Sequence, residues 1–323
     1  MSNNGNNSPL IRTRGLKKYF KIPMGMLHAV DDINLSIEAG KTLGVVGESG
    51  CGKSTLGRTI LRLIDATAGE IFYKEDDILQ YNKKQMLNMR KHMQIIFQDP
   101  FSSLDSRMTV FQLISEPLVI NNSCSSKKEL TERVFDLMNI VGLADYLDNT
   151  YPHELDGGRR QRIGIARALA LNPDFIVCDE PVSALDVSIQ AQVLNLLMDI
   201  QDKLKVAYMF ITHNLSVVKH IADDIMVLYL GQCVEQAPYN VLFSNPVHPY
   251  TKALLQAIPI AKINRGKKRE LLTGELTSPI NPPVGCRFAA RCKYIQKGVC
   301  DQDMSLTEIS ENHFVMCPVV TGK

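Results

Sequence analysis

Gly47-Glu48-Ser49-Gly50-Cys51-Gly52-Lys53-Ser54 decides the fold class. The run matches G-x-x-x-x-G-K-[ST] at every fixed position. Its glycines let backbone N–H groups turn inward without a Cβ clash. Those donors, with the N-terminus of the helix expected next, form a site for a polyphosphate. Lys53 is placed to reach the β- and γ-phosphates. The Ser54 hydroxyl suits Mg²⁺, which keeps several waters and needs few protein ligands, and Thr55 completes the loop. The flanks agree with this reading. Thr42-Leu43-Gly44-Val45-Val46 is a continuous apolar strand before the loop. After it, Leu56, Ile60, Leu63 and Ile64 recur on one side of a helix.

Further along the chain, Ile33-Asn34-Leu35-Ser36-Ile37 alternates as a half-buried strand does. Phe175-Ile176-Val177-Cys178, Tyr208-Met209-Phe210-Ile211 and Ile225-Met226-Val227-Leu228 read as strands buried on both faces. Helical stretches separate them, among them 163–170 and 189–204. The alternation predicts an α/β domain with a mainly parallel sheet. Residues from about 101 to 155 break it and read as an inserted helical subdomain. The strand at Phe175 ends in Asp179 and Glu180. Beside a phosphate loop, such a strand end is where Mg²⁺ and water ligands belong. Asp179 is expected to bind Mg²⁺, and Glu180 to orient and polarise the attacking water.

The chain has 323 residues, a formal net charge of +2 and 45% hydrophobic residues. This near-neutral balance gives no sign of a nucleic-acid partner. The basic run 265–269 reads as a solvated loop. No stretch approaches the roughly 18 apolar residues of a spanning helix. The Asn-rich start has neither a basic n-region nor an apolar h-region, so the expectation is a cytosolic protein with at most a peripheral membrane role. Its eight cysteines are then not expected to form disulfides.

Several further motifs give the sequence a family likeness. Leu155-Asp156-Gly157-Gly158-Arg159 resembles the Leu-Ser-Gly-Gly-Gln signature of the ATP-binding-cassette family. Gln98 is similar to its Q-loop glutamine, Ser183-Ala184-Leu185-Asp186 to its D-loop, and His213 to its switch histidine. Phe20 lies where the family stacks an aromatic ring on adenine, with Tyr19 as the alternative. The resemblance covers roughly residues 11 to 258. It implies a P-loop (RecA-like) core with an antiparallel β subdomain and an inserted helical subdomain at about 101–165. It also implies ATP hydrolysis in a dimer, each ATP lying between one partner's phosphate loop and the other's signature. Gln98, as a further Mg²⁺ ligand, would couple the nucleotide to membrane subunits, and His213 would contact the γ-phosphate.

One position departs from the pattern. The signature serine is Asp156 here. A carboxylate about 4 Å from each phosphate charge is repelled by about 4 kcal/mol at an effective dielectric near 20. Either Asp156 forms a weakened ATP site in an asymmetric heterodimer with a paralogous ATPase, or it caps the next helix and points away.

The last stretch, 259–323, is Pro- and Cys-rich. Cys286, Cys292, Cys300 and Cys317 follow C-x₅-C-x₇-C-x₁₆-C. Four thiols in a tail expected to pack poorly point to an organising metal, zinc or an iron–sulfur cluster, unless they are free. The stretches 246–251 and 282–288, with Arg291 and Cys292, resemble the oligopeptide/dipeptide (and nickel) importer branch. That branch implies a [4Fe–4S] cluster here, with zinc as the lesser alternative. It also implies two transmembrane permease subunits, an extracellular or periplasmic binding protein, and a place on the cytoplasmic face of the membrane. Peptides are the expected cargo. Nickel or another small solute is the alternative, as is a non-transport ATPase, although such proteins carry two cassettes in one chain.

Overall fold

A computed structural model describes residues 8–258 and 278–322. The basic run 265–269 and most of the polar start lie outside the described residues. In chain order the elements are β1 (Ile11–Ile22), β2 (Gly25–Ile37), β3 (Thr42–Val46), α1 (Lys53–Ile60), β4 (Ala68–Tyr73), β5 (Asp76–Asp77) and α2 (Lys83–Met89). Then come β6 (Met93–Ile96), α3 (Val110–Ile120), α4 (Lys127–Ile140), α5 (Gly157–Leu169), β7 (Phe175–Asp179), α6 (Val187–Leu204) and β8 (Ala207–Thr212). The remainder are α7 (Leu215–Ile221), β9 (Asp224–Tyr229), β10 (Gln232–Pro238), α8 (Tyr239–Ser244), α9 (Pro249–Ala257), β11 (Thr307–Ser310), β12 (His313–Val315) and α10 (Pro318–Thr321). They form two compact units.

One unit comprises residues 8–10, Ile37–Lys41 and Gln80–Ile211. Its strands run β6, β7, β8, all parallel. Every residue of β7 and β8 is buried, as their unbroken apolar runs require. Helices α3, α4 and α5 pack on one another. Local sequence sets where each begins. Thr109 and Gln112 close a capping box on α3, and the Ser126 side chain caps α4.

The other unit comprises, among the described residues, Ile11–Ser36, Thr42–Leu79, 212–258 and 278–322. Strands β2, β1, β4 and β5 form an antiparallel sheet. From Asp32 on, β2 alternates exposed and buried residues. A second set runs β11, β12, β10, β9, β3, in which only β3 and β9 are parallel.

Two expectations need correction. Helix α1 stops at Ile60, and Leu63 is exposed rather than part of its apolar face. Arg62 takes φ +50°, a left-handed conformation that ends the helix. The C-terminal stretch is also better packed than its Pro-rich composition suggests. β12 adds to β10, and Phe288 is buried in an apolar core with Tyr229 and Tyr250. Burying one such aromatic side chain contributes about 1.5–3 kcal/mol.

Candidate active site

In the second unit the loop 47–54 joins the end of β3 to the start of α1. Gly52 has φ +103°, and a Cβ there would lie 2.0 Å from the Ala29 carbonyl oxygen. Only glycine fits that approach. Lys53 is buried, and its Nζ donates to the carbonyls of Gly47 and Glu48, each at 2.9 Å. Its ammonium is thus held at the loop. Burial raises the Cys51 thiol above its ordinary pKa, which leaves it a neutral packing group beside Lys53.

Two residues to which the sequence assigns no part at the loop contact it. The Tyr250 hydroxyl accepts from Glu48 N at 2.9 Å. The Arg291 guanidinium grips the Glu48 carboxylate through two nitrogens, at 2.7 and 3.1 Å. These partners lie 202 and 243 positions from Glu48, so no local pattern could have paired them.

Of the two adenine-stacking candidates, Tyr19 is already engaged. Its ring stacks on His28 with centroids 3.9 Å apart, and its hydroxyl bonds to Asp31. Phe20 is half-buried, and the Lys18 ammonium lies 4.8 Å from its ring centroid. His213 is exposed just after Thr212, whose hydroxyl accepts from Asn214 N at 3.0 Å.

The first unit holds the acidic pair and the signature-like turn. Asp179 ends β7 and is 1% exposed. Glu180 follows with φ +48°, which for a residue bearing a Cβ stores strain of order 1–3 kcal/mol. Its N–H donates to Ile211 O at 3.0 Å, and Ser183 Oγ donates to its carbonyl at 3.1 Å. These bonds aim the side chain at Gln98, whose Nε2 donates to Glu180 Oε2 at 3.0 Å.

Asp156 is the N-cap of α5. Its Oδ1 accepts from Arg159 N at 2.8 Å, and its other oxygen lies 3.4 Å from Arg159 Nε. Of the two readings of Asp156, the cap is therefore made, and the side chain remains half exposed. Gly157 and Gly158 open the helix against Leu185 and Ile189. A Cβ on Gly158 would come within 2.7 Å of Ile189. Asp186 begins α6 with no side-chain cap bond and is exposed.

Cys286, Cys292, Cys300 and Cys317 line one cavity of about 260 Å³, along with His248 and Lys252. None is in a disulfide. Burial pushes the Cys286 thiol up to about 11, reinforced by the other three thiols nearby. Burial also raises Cys292 and Cys317. Among the described residues no three His, Cys, Asp or Glu side chains are grouped to hold a metal ion.

The sequence matches the ABC transporter family over residues 30–183 and the family described as "Oligopeptide/dipeptide transporter, C-terminal region" over 234–300. It is 48% identical over 317 residues to the dipeptide transport ATP-binding protein DppF of Haemophilus influenzae, covering 96% of this chain and 97% of that one. It is 50% identical over 303 residues to the oligopeptide transport ATP-binding protein OppF of Salmonella typhimurium, covering 93% and 90%. Among solved structures it resembles cbiO1 of Clostridium perfringens, part of the cbiONQ ABC transporter complex. The TM-score is 0.66 at 26% identity, over 74% of this chain and 92% of that one. It resembles the dimeric ATP-binding cassette MJ0796, bound to ADP and Pi, with TM-score 0.65 at 26% identity, over 71% and 98%. The chain belongs to the ABC transporter family, among the ATP-binding proteins that carry the oligopeptide/dipeptide C-terminal region.

Proposed function

We propose that this ATPase powers import of dipeptides or oligopeptides from the cytoplasmic face of a membrane. The observation that carries the reading is the loop 47–54, glycine-shaped and centred on buried Lys53. The names of the relatives favour peptides as cargo. Among the described residues no helix is long and apolar enough to cross a membrane. Two permease subunits and an external binding protein would therefore complete the transporter.

Loop amides and Lys53 bind the triphosphate, and Phe20 stacks on the adenine. Ser54, Gln98 and Asp179 would hold Mg²⁺. Their donors are all oxygen, which suits a hard cation, and the ion supplies charge neutralisation at the phosphates. Glu180 accepts a proton from the attacking water, in the orientation that Gln98 maintains. His213 contacts the γ-phosphate. The signature of a second, paralogous ATPase closes over this nucleotide. Asp156, Gly157 and Gly158 close in turn over the partner's, and Asp186 lies at the join. The site built on Asp156 is the weaker of the two, because a carboxylate, even one that caps α5, adds negative charge near the partner's phosphates.

Cys286, Cys292, Cys300 and Cys317 would hold a [4Fe–4S] cluster, which would cross-link the C-terminal stretch and serve structure or regulation rather than hydrolysis. Calorimetry with Mg-ATP tests the central reading. Wild type binds, and Lys53→Ala loses at least tenfold in affinity. Equal binding by the two would overturn it.

A further inference from the structure

We infer that Arg291, with Tyr250, is a positioning residue for the phosphate loop, so that the C-terminal region sets the affinity for nucleotide. This inference rests on the ATP-binding reading. Its basis is the charge that the loop itself carries. Glu48 places a carboxylate in a turn whose purpose is to bind a polyanion. An unpaired carboxylate there repels the incoming phosphates. Arg291 cancels it through a fork of two hydrogen bonds at 2.7 and 3.1 Å, the geometry in which guanidinium binds carboxylate most strongly. The Arg291 side chain is 7% exposed and that of Glu48 24%, so solvent screens the pair only in part.

The pair also fixes position. Tyr250 holds the backbone of the same residue, accepting from Glu48 N at 2.9 Å. Arg291 and Tyr250 do not float. The Tyr229 ring packs edge-on to Tyr250 at 4.8 Å and to Phe288 at 5.3 Å. Four residues before Arg291, the same segment sends Arg287 to Asp31 and to the Leu230 carbonyl. The stretch between Cys286 and Cys292 thus makes three anchors: Arg287 on β2, Phe288 in the aromatic core, and Arg291 on the loop. A cassette without this stretch would have to hold Glu48 by other means.

The test uses the full-length purified chain and a fluorescent ATP analogue, mant-ATP, as probe. Arg291→Ala is expected to raise its Kd about tenfold, equivalent to about 1.4 kcal/mol. Arg291→Lys, which keeps the charge but not the fork, falls between. Adding Glu48→Gln to Arg291→Ala recovers most of the lost affinity, because the unpaired carboxylate is gone. A merely structural role for Arg291 gives no such recovery. Hydrogen exchange at the amides of 48–52, measured without nucleotide, is faster in Arg291→Ala, while that of β7 is unchanged. A Kd within twofold of wild type with unaltered exchange overturns the inference, as does a double variant as weak as Arg291→Ala. If the wild-type chain takes up no nucleotide at all, the ATP-binding reading fails, and the exchange comparison alone decides whether Arg291 positions the loop.

Discussion

Gln98 Nε2 donates a 3.0 Å hydrogen bond to the carboxylate of Glu180, tying the turn after β6 to the turn after β7. Glu180 is held there against its own backbone preference, at φ +48°. Such an arrangement presents a carboxylate in one orientation before any reaction begins.

That orientation separates binding from hydrolysis. Glu180→Gln keeps the shape and a hydrogen-bonding partner for Gln98 but cannot take a proton from water. ATP turnover is expected to fall by roughly 10²–10⁴-fold, the usual contribution of a general base. Nucleotide affinity is expected to stay within about threefold of wild type, since Lys53 and the loop amides are untouched. Steady-state phosphate release and equilibrium titration on the same preparation check both halves. A parallel fall in affinity and turnover would move Glu180 from base to ligand.

The parts of this architecture visible in the sequence are those whose cause is local. The strand at Thr42–Val46 is a continuous apolar run and forms with those same limits. The loop after it depends on glycines that show in the one-dimensional pattern. Features decided by distant partners were not visible. β12 has three residues, too few for any periodicity, and is defined by β10. Glu235 on β10 is fully buried and reads in isolation as a misplaced surface charge. It accepts from Val247 N, His248 N and the ring of His313, and the last lies 78 positions away. The hold of Arg291 on Glu48 was hidden for the same reason. Helix α1 erred in the opposite sense, since Leu63 and Ile64 continued its pattern while Arg62 had already broken it.

Asp156 offers a substitution in which stability and activity part company. Serine caps a helix about as well as aspartate, so Asp156→Ser should change unfolding free energy by no more than about 0.5 kcal/mol. In the proposed asymmetric dimer it also removes a carboxylate's charge from beside the partner's nucleotide. ATP turnover of the assembled transporter is then expected to rise, up to about twofold, as a second site becomes productive. The complementary measurement compares Glu180→Gln with the equivalent change in the proposed paralogous ATPase. Transport should fall further for Glu180→Gln. Equal losses would show two equivalent sites.

The four cysteines give a prediction that does not depend on ATP. Chain purified without oxygen should be brown, absorb near 400 nm and carry about four iron atoms. Cys286→Ser should remove the colour and lower the melting temperature, because the proposed cluster would cross-link the strap from Cys286 to Cys292. Colourless protein with one zinc per chain would reject the cluster.

His248 supplies a pH dependence whose sign follows from its environment. It is 1% exposed, and its Nδ1 accepts from Tyr250 N at 3.1 Å, so the neutral ring is the form that fits. Burial, with Lys252 nearby, depresses its pKa to about 3. In the unfolded chain the same ring takes up a proton near pH 6.5. The unfolded state therefore binds more protons between those values. The contribution to stability is complete above about pH 6.5 and is lost as pH falls toward 3, to an upper limit on the order of 5 kcal/mol. His248→Asn retains an acceptor for Tyr250 N but has nothing to titrate. Urea unfolding from pH 7.5 to 4.5 should give a steep decline for wild type and a shallower one for the variant. Parallel slopes would mean that the ring is charged in the folded protein.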